Sequence, residues 1–464
     1  MKMVLGTAAR SSTRGEKEAA MASAPFKCET FRREDAGYEA ARQATCRNAH
    51  LPDRYPDIIV QAATEADVVA AVRLAKANNW KVGVRSGGHS WSCNHVREGG
   101  MLLDISRLNA VSVDRQAMRA TAGPGCRGNE LDDLLAEQKL IFPVGHCHGV
   151  GLGGFLLQGG FGWCSRVLGM ACESVLRIDY VDADGELRRA SPEENADMYW
   201  AARGAGPGFC GIVTKFHLRL YHRPAVIGAR LATYSADRFE EVIRWARDVG
   251  PNVPTSVELM FVISRCIPGI DGPGILLIAA VFADSLEQAH HDLSFLETRP
   301  DRADHASPFE QMALATLTKE TMAHYPEGHR HIVDNMWTHA SADELLPGLH
   351  SILETLPPAP AHFIWVNWMP KLRRPEMAFS LEDDVYIAMY GLWTKDADET
   401  RISQWVRDGL TGLSPHSTGI QLADENLARR QAPFMSEANR ERLERIRHER
   451  DPERRFHTYG RPAE

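Results

Sequence analysis

Two stretches of this sequence combine backbone freedom with reactive side chains. The first, Val84-Arg85-Ser86-Gly87-Gly88-His89-Ser90, closes an alternating segment from Trp80 to Arg85 that reads as a β-strand. Two adjacent glycines let the chain bend tightly just past that strand, where unpaired N–H groups can cradle a phosphate. The second stretch runs from Gly145 to Gly162, and eight of its eighteen residues are glycine. Glycine at that density is costly in folding entropy unless something must approach the backbone closely, and a bulky flat ligand supplies such a reason. The bland alternative is a pair of glycine-rich loops with no ligand. The Gly-x-Gly-x-x-Gly dinucleotide fingerprint lacks its strand-to-helix setting here, so a nucleotide site of that type is disfavoured.

Side chains in these stretches admit several readings. His89 is either a nucleophilic nitrogen beside a glycine turn or a satisfied histidine, and Cys147 is either a reactive thiol or a small buried hydrophobe. His146-Cys147-His148 is a dense donor cluster. Adjacent residues on an extended chain point to opposite faces and seldom converge on one ion, so no metal site is expected. The nine cysteines include no C-x-x-C pair, which indicates neither a zinc ribbon nor a disulfide framework. A net charge of −8 argues against nucleic acid as a partner. The longest apolar run, Gly274 to Ala283, is too short to span a bilayer, and the N-terminal stretch makes a poor signal peptide. A reducing, cytoplasmic location is the expectation.

The elements that position these residues alternate between strand and helix. Pro56 to Gln61 reads as a strand, Thr64-Glu-Ala-Asp67 opens an amphipathic helix carrying Val68, Val72 and Ala75, and Trp80 to Arg85 returns as a strand. Met101 to Ile105 and Ala117 to Ala122 look like further strands. Arg177–Ala183 and Glu186–Ala190 flank Asp184-Gly185 as a hairpin, and Ser191-Pro-Glu-Glu194 reads as a capping box with proline at the first helical position. A strongly alternating strand from 211 to 221 closes this region, with a boundary near Pro224. Beyond it, strands are expected at Val257–Ile263, Ile275–Ala283, His362–Trp368 and Tyr386–Trp393, and helices at Ala236–Val249, Ser285–Glu297 and Met435–Glu449.

Taken in order, Arg85-Ser-Gly-Gly-His89-Ser, Gly123-Pro-Gly, the Gly145–Gly162 run and Ala202-Arg-Gly-Ala-Gly206 with Gly211-Ile-Val-Thr resemble the FAD-binding domain of the vanillyl-alcohol-oxidase (PCMH-type) superfamily. Within it they are similar to berberine-bridge-enzyme-like oxidases, and Leu443-x-x-Ile-Arg with Asp451-Pro-x-x-x-Phe456 matches their closing segment. The resemblance implies FAD bonded covalently through His89 to the flavin 8α-methyl group and through Cys147, three residues before Val150-Gly151, to flavin C6. It also implies cofactor contacts from Arg85, Ser86, Gly87, Gly88, Ser90, Gly123, Gly145, Gly149, Val150, Gly151, Gly153, Gly154, Gly160, Gly211, Ile212, Val213 and Gln421.

The catalytic base is where this sequence departs from its relatives. Many of them carry Tyr-x-Asn-Tyr-x-Asp before the last helix, whereas this chain has Gly419-Ile-Gln421-Leu422-Ala-Asp424. Both tyrosines are gone, and Leu381-Glu382 stands where a His-Arg pair is common. Replacement bases are therefore sought on the later strands, where Tyr390, Glu258 and Asn367 interrupt apolar runs; Trp365, Trp368 and Trp393 suggest an aromatic-walled cleft. His329-Arg-His331 is left open between a loop near the entrance and a solvated segment.

The expectation is an α+β protein. Residues 1–51 form an N-terminal tail, partly disordered. A PCMH-type FAD domain spans 52–222, a substrate domain with an antiparallel sheet backed by helices spans 223–418, and 419–464 return to the FAD domain. The implied function is an oxidase that takes hydride from an alcohol or amine carbon of a small organic substrate and returns the electrons to oxygen as hydrogen peroxide, without nucleic-acid or membrane partners. The alternatives are a flavin dehydrogenase using another acceptor, or a flavin-containing protein that sequesters its ligand without turnover.

Overall fold

The computed structural model describes residues 28–301, 303–369 and 373–460. Residues 1–27 of the expected tail and 461–464 at the other end lie outside the described residues. The part of that tail within view is built into the fold. Strand β1 (Thr30–Arg32) pairs antiparallel with β2 (Ile58–Gln61), and a helix at Tyr38–Ala44 packs beside it.

The first region carries two sheets. In one, β3 (Val82–Arg85), β4 (Met101–Asp104) and β2 run parallel, in the order β1-β2-β4-β3. The crossover from β2 to β3 is the helix Glu65–Ala77, opened as expected by Thr64: its Oγ1 accepts the Asp67 N–H at 3.2 Å while the Asp67 carboxylate accepts the Thr64 N–H at 3.0 Å. The other sheet is antiparallel, with β5 (Val111–Asp114), β6 (Arg119–Ala122), β8 (Val175–Val181), β9 (Leu187–Ala190) and β10 (Ile212–Arg219) ordered β5-β6-β10-β8-β9. A short pair, β7 (Leu140–Ile141) with β11 (Tyr221–His222), ties the end of the region together.

The second region is an eight-stranded antiparallel sheet. It joins β12 (Val226–Ser235), β13 (Val257–Ser264), β14 (Gly274–Ala283), β15 (His305–Ala306), β16 (Glu310–Gln311), β17 (Arg330–Thr338), β18 (His362–Asn367) and β19 (Val385–Trp393), in the order β15-β12-β14-β13-β18-β19-β17 with β16 also on β12. Side chains alternate between its faces. Phe363 and Trp365 of β18, with Val385, Ile387 and Met389 of β19, enter a core shared with helices Phe239–Val249, Ala342–Glu354 and Glu399–Leu413. The opposite face turns toward the first region. The chain then returns: Phe456 bridges Val82 in parallel, the His457 N–H donates to the Val82 carbonyl at 3.0 Å, and Arg447 Nη1 donates to the Gly208 carbonyl at 2.7 Å.

One helix start differs from expectation. Ser191 Oγ does accept the Glu193 and Glu194 N–H groups, each at 3.2 Å, but the helix begins only at Ala196. Asn195 intervenes with φ 47°, and its side chain donates to the Arg189 carbonyl at 2.7 Å. A left-handed residue cannot propagate a right-handed helix, so the capping box closes a turn instead. No described helix is long and apolar enough to cross a membrane.

Candidate functional site

The glycine loops and the free face of the large sheet enclose one cavity of about 590 Å³. Loop 86–90 leaves the carboxyl end of β3, the edge at which parallel α/β sheets bind ligands. Arg85 fixes its start through Asp104, Nη1 to Oδ1 at 3.0 Å, and Ser86 Oγ donates to the Pro124 carbonyl at 2.7 Å. Backbone then meets backbone. A Cβ at Gly87 would lie 2.5 Å from the Gly151 nitrogen, and one at Gly151 would lie 2.8 Å from Gly87 Cα. Gly88 takes φ 74° against the Thr45 carbonyl. Only glycine permits these approaches.

Two observations make the loop wall fit a phosphate-bearing, flat cofactor such as FAD. Among the described residues, the N–H groups of Gly87, Gly88, His89 and Ser90 donate to no protein acceptor, although all four residues line the cavity. A row of backbone donors left unpaired along a cavity wall is an anion cradle. Gly154 also lines the cavity, and a Cβ there would meet nothing within 4 Å, so the wall is open where most of these glycines are crowded.

The cavity brings together Arg85 through Ser90, Gly145, Cys147, Val150, Gly151, Gly153, Gly154, Gly211, Ile212, Val213 and Gln421. Gly123, Gly149 and Gly160 do not line it. Added Cβ atoms would lie 2.1 Å from the Leu108 oxygen at Gly123 and 2.5 Å from Ala171 Cβ at Gly160, so close packing accounts for both. Gly149, at φ 84°, lets its loop pass the His89 ring, whose Nε2 would lie 3.3 Å from a Cβ. Burial, then the charges of Arg47, Arg127 and Arg85, pull the His89 pKa down to about 3, which leaves a neutral nucleophilic imidazole. Burial likewise pushes the Cys147 thiol up to about 12.

The opposite wall centres on Asp424, a residue the sequence reading passed over. Its Oδ2 accepts the hydroxyls of Tyr386 at 2.6 Å and Tyr390 at 2.9 Å, and its Oδ1 accepts the Trp91 indole N–H at 2.8 Å. Tyr386 and Tyr390, four residues apart on β19, share one face. The Tyr325 ring meets Tyr390 edge-on at 5.0 Å. Burial raises the Asp424 pKa, opposed by the three hydrogen bonds, and burial also holds both tyrosines well above their ordinary value. The carboxylate is held in place by β17, where Asn335 Nδ2 donates to the Asp424 carbonyl at 2.8 Å and Trp337 bridges Gly419. Tyrosines are thus present after all, supplied by β19 rather than by the segment before the last helix. The detectable signal was the i, i+4 spacing of Tyr386 and Tyr390 together with the aspartate that survives in the altered motif.

Other expected residues have different settings. Tyr390 lines the cavity but Glu258 does not. Glu258 is 3% exposed, accepts the Cys164 N–H at 2.7 Å and lies 3.0 Å from His146 Nε2, so it anchors the loop wall to β13. Asn367 points to the helix side, where it donates to the Ala246 carbonyl at 2.7 Å. Trp365 and Trp393 belong to the core beneath the helices, and the Trp368 indole donates to Glu382 at 2.7 Å. The aromatic wall of the cavity is instead Trp91, Phe161, Tyr325, Tyr386 and Tyr390. His331 is buried and stacked on Trp91 at 4.5 Å, neither looped out nor solvated. Among the described residues no group of three or more His, Cys, Asp or Glu side chains is placed to hold a metal ion.

Comparison with known proteins adds to this geometry. Residues 56–191 match the model of an FAD binding domain. Over 427 residues the chain is 32% identical to the FAD-linked oxidoreductase nodO of Hypoxylon pulicicidum, covering 90% of this chain and 94% of that protein. Among solved structures, it is similar to 6-hydroxy-D-nicotine oxidase from Arthrobacter nicotinovorans, with a TM-score of 0.83, 21% identity, and 94% of this chain and 98% of that one covered. The BBE-like 1 protein of Physcomitrella patens superposes with a TM-score of 0.82 at 20% identity, over 95% of this chain and 97% of that one.

Proposed function

We propose that this chain, which belongs to the FAD-linked oxidoreductases, is a berberine-bridge-enzyme-like oxidase of the PCMH-type superfamily acting on an alcohol or amine carbon of a small organic substrate. One observation carries the reading: a single cavity holds both the row of unpaired N–H groups at 87–90 and the Tyr386–Asp424–Tyr390 group. FAD, when bound, would supply the hydride acceptor, with oxygen as the final electron acceptor. Everything else falls to the chain. Residues 87–90 would hold the pyrophosphate and the glycine-rich wall the ring, with His89 and Cys147 available as points of covalent attachment and Gln421 among the lining residues. A substrate O–H or N–H that bonds Tyr390 Oη gives up its proton there, while the tyrosine hydroxyl hands its own to Asp424. The raised pKa of Asp424 matches it to that task, because a stronger base accepts a proton more readily as hydride departs.

The proposed division of labour gives the cofactor to residues 52–222 with 419–464 and the substrate to 223–418. The returning contacts of Phe456, His457 and Arg447 support it. Anaerobic mixing with a panel of primary alcohols and amines tests the function: a member of the panel bleaches the flavin, and admitted air restores the colour with formation of peroxide. Flavin that stays reduced in air overturns the oxidase reading in favour of a dehydrogenase, and flavin that no member bleaches favours sequestration without turnover.

A further inference from the structure

Over β13, β14 and β18 the cavity face of the large sheet is apolar with one exception. Along β18, His362, Ile364 and Val366 line the cavity, and β13 and β14 add Met260, Val262, Leu276 and Ile278. His362 brings an imidazole into this surface and is 1% exposed. Its Nδ1 lies 2.9 Å from the Pro360 carbonyl oxygen. A carbonyl only accepts, so Nδ1 carries the proton and Nε2 presents a lone pair. That Nε2 is buried and has no hydrogen-bond partner among the described residues. Its neighbours do not serve it: Tyr390, the cross-strand partner, stacks on the ring at 4.9 Å and 17°, and Tyr325 meets it edge-on at 5.2 Å. The Tyr390 hydroxyl is engaged with Asp424. Burial, then the neighbouring His324, pull the His362 pKa down to about 3, so the ring stays a neutral acceptor. A buried acceptor with no donor is destabilising, and native proteins keep one where a ligand or water completes it.

We propose that His362 Nε2 is the hydrogen-bond acceptor for a second O–H or N–H of the substrate, distinct from the one that gives its proton to Tyr390, and that the substrate is an otherwise apolar molecule lying against the β13–β14–β18 face. This rests on reading the cavity as a flavoenzyme active site and deepens it by naming the substrate class. His362 recognises; it does not take the proton. Stacked on Tyr390, it holds the substrate so that its reacting group, a separate O–H or N–H, can reach the tyrosine that begins the proton path.

The test titrates the holoprotein with 2-naphthol and with 2-methoxynaphthalene, two apolar probes that differ in one donor and lack an oxidisable carbinol carbon. The flavin absorption shift reads binding. The hydroxyl compound is expected to bind about tenfold tighter, the size of one hydrogen bond to an otherwise unpaired buried acceptor. His362→Leu should erase that preference and leave the ether's affinity unchanged, and His362→Gln, whose side-chain carbonyl accepts, should restore part of it. Equal affinities in the wild type, a preference that survives His362→Leu, or no binding of either probe overturns the proposal; equal affinities would mean that a water completes Nε2. Tryptophan fluorescence of the same protein reads the titration independently of any flavin signal, so failure of the flavin reading and failure of the His362 assignment are separable.

Discussion

The two walls of the cavity are built by opposite means. In loops 86–90 and 145–154 nearly half the residues are glycine, and backbone atoms both pack the wall and supply its hydrogen-bond donors. On the sheet wall the strand ladders occupy the backbone, and alternate side chains, joined by Asp424 and Trp91 from neighbouring loops, carry the chemistry. A wall of backbone tolerates almost no added atom. A wall of alternating side chains tolerates exchange at each position and so can be retuned for a substrate without disturbing the cofactor.

The sharpest break of that contrast is within the loop wall itself. Gly87→Ala places a methyl group 2.5 Å from the Gly151 nitrogen, where no flexible atom can yield. The expected result is protein that purifies colourless and inactive, whereas Gly154→Ala, with open space at its Cβ, folds like the wild type and loses flavin only in part, because the added methyl meets the cofactor rather than the protein. Flavin absorbance per mole of protein reads both.

On the sheet wall the largest effect is expected at Asp424. Asp424→Asn should slow anaerobic flavin bleaching by about 10² to 10³-fold with flavin content unchanged, the range for loss of a general base. Tyr390→Phe should cost about as much, because the proton path to Asp424 begins at its hydroxyl, and Tyr386→Phe should cost less, because it only steadies the same carboxylate oxygen. The wild-type rate should rise with pH through the Asp424 pKa, which burial places above 3.8, and Asp424→Asn should lose that limb.

Glu258 should behave the other way. Glu258→Ala leaves the buried Cys164 N–H without its acceptor, a loss of about 1 to 3 kcal/mol in urea or thermal unfolding. Its bleaching rate at a temperature where the variant is folded should change less than that of Asp424→Asn. If Glu258→Ala instead abolishes bleaching while leaving stability untouched, the base has been placed on the wrong residue.

The remaining effect, absent at neutral pH, concerns acid stability. His331 titrates at about 3 when folded, against 6.5 for an exposed imidazole, because burial disfavours its charged form. Its contribution is complete above pH 6.5 and is lost as pH falls from there toward about 3. Over that window His331→Phe, which keeps a ring on Trp91, should flatten the pH dependence of unfolding free energy by up to about 1.4 kcal/mol per pH unit, the limit for one proton.

The same contrast explains what the sequence disclosed. The loop wall was legible because glycine is demanded locally, wherever the chain bends or two backbones touch, and Gly87 and Gly151 announce their contact by type alone. Strand and helix positions followed where the period was clean, as in β13, β14 and β19. β12 and β17 were missed: in β17 the buried polar residues Asp334 and Asn335, each paired across the fold to residues near 421–430, break the apolar pattern. The base was hidden for a related reason. The i, i+4 spacing of Tyr386 and Tyr390 puts both on one face of their strand, but nothing in the sequence brings Trp91 and Asp424 to them; β19's pairing register and the grip of β17 on the 418–424 loop bring that about. Glu258 misled because a polar residue in an apolar strand looks alike whether it faces a substrate or anchors a neighbouring loop.

The claim on which the rest depends is that the loop wall holds the flavin through His89 and Cys147. Holoprotein denatured in acid, digested and analysed by mass spectrometry tests it directly. The result expected is protein that stays yellow, with flavin on peptides containing His89 and Cys147 and one remaining attachment in His89→Ala. Flavin released free into the acid supernatant, with both peptides unmodified, would contradict it.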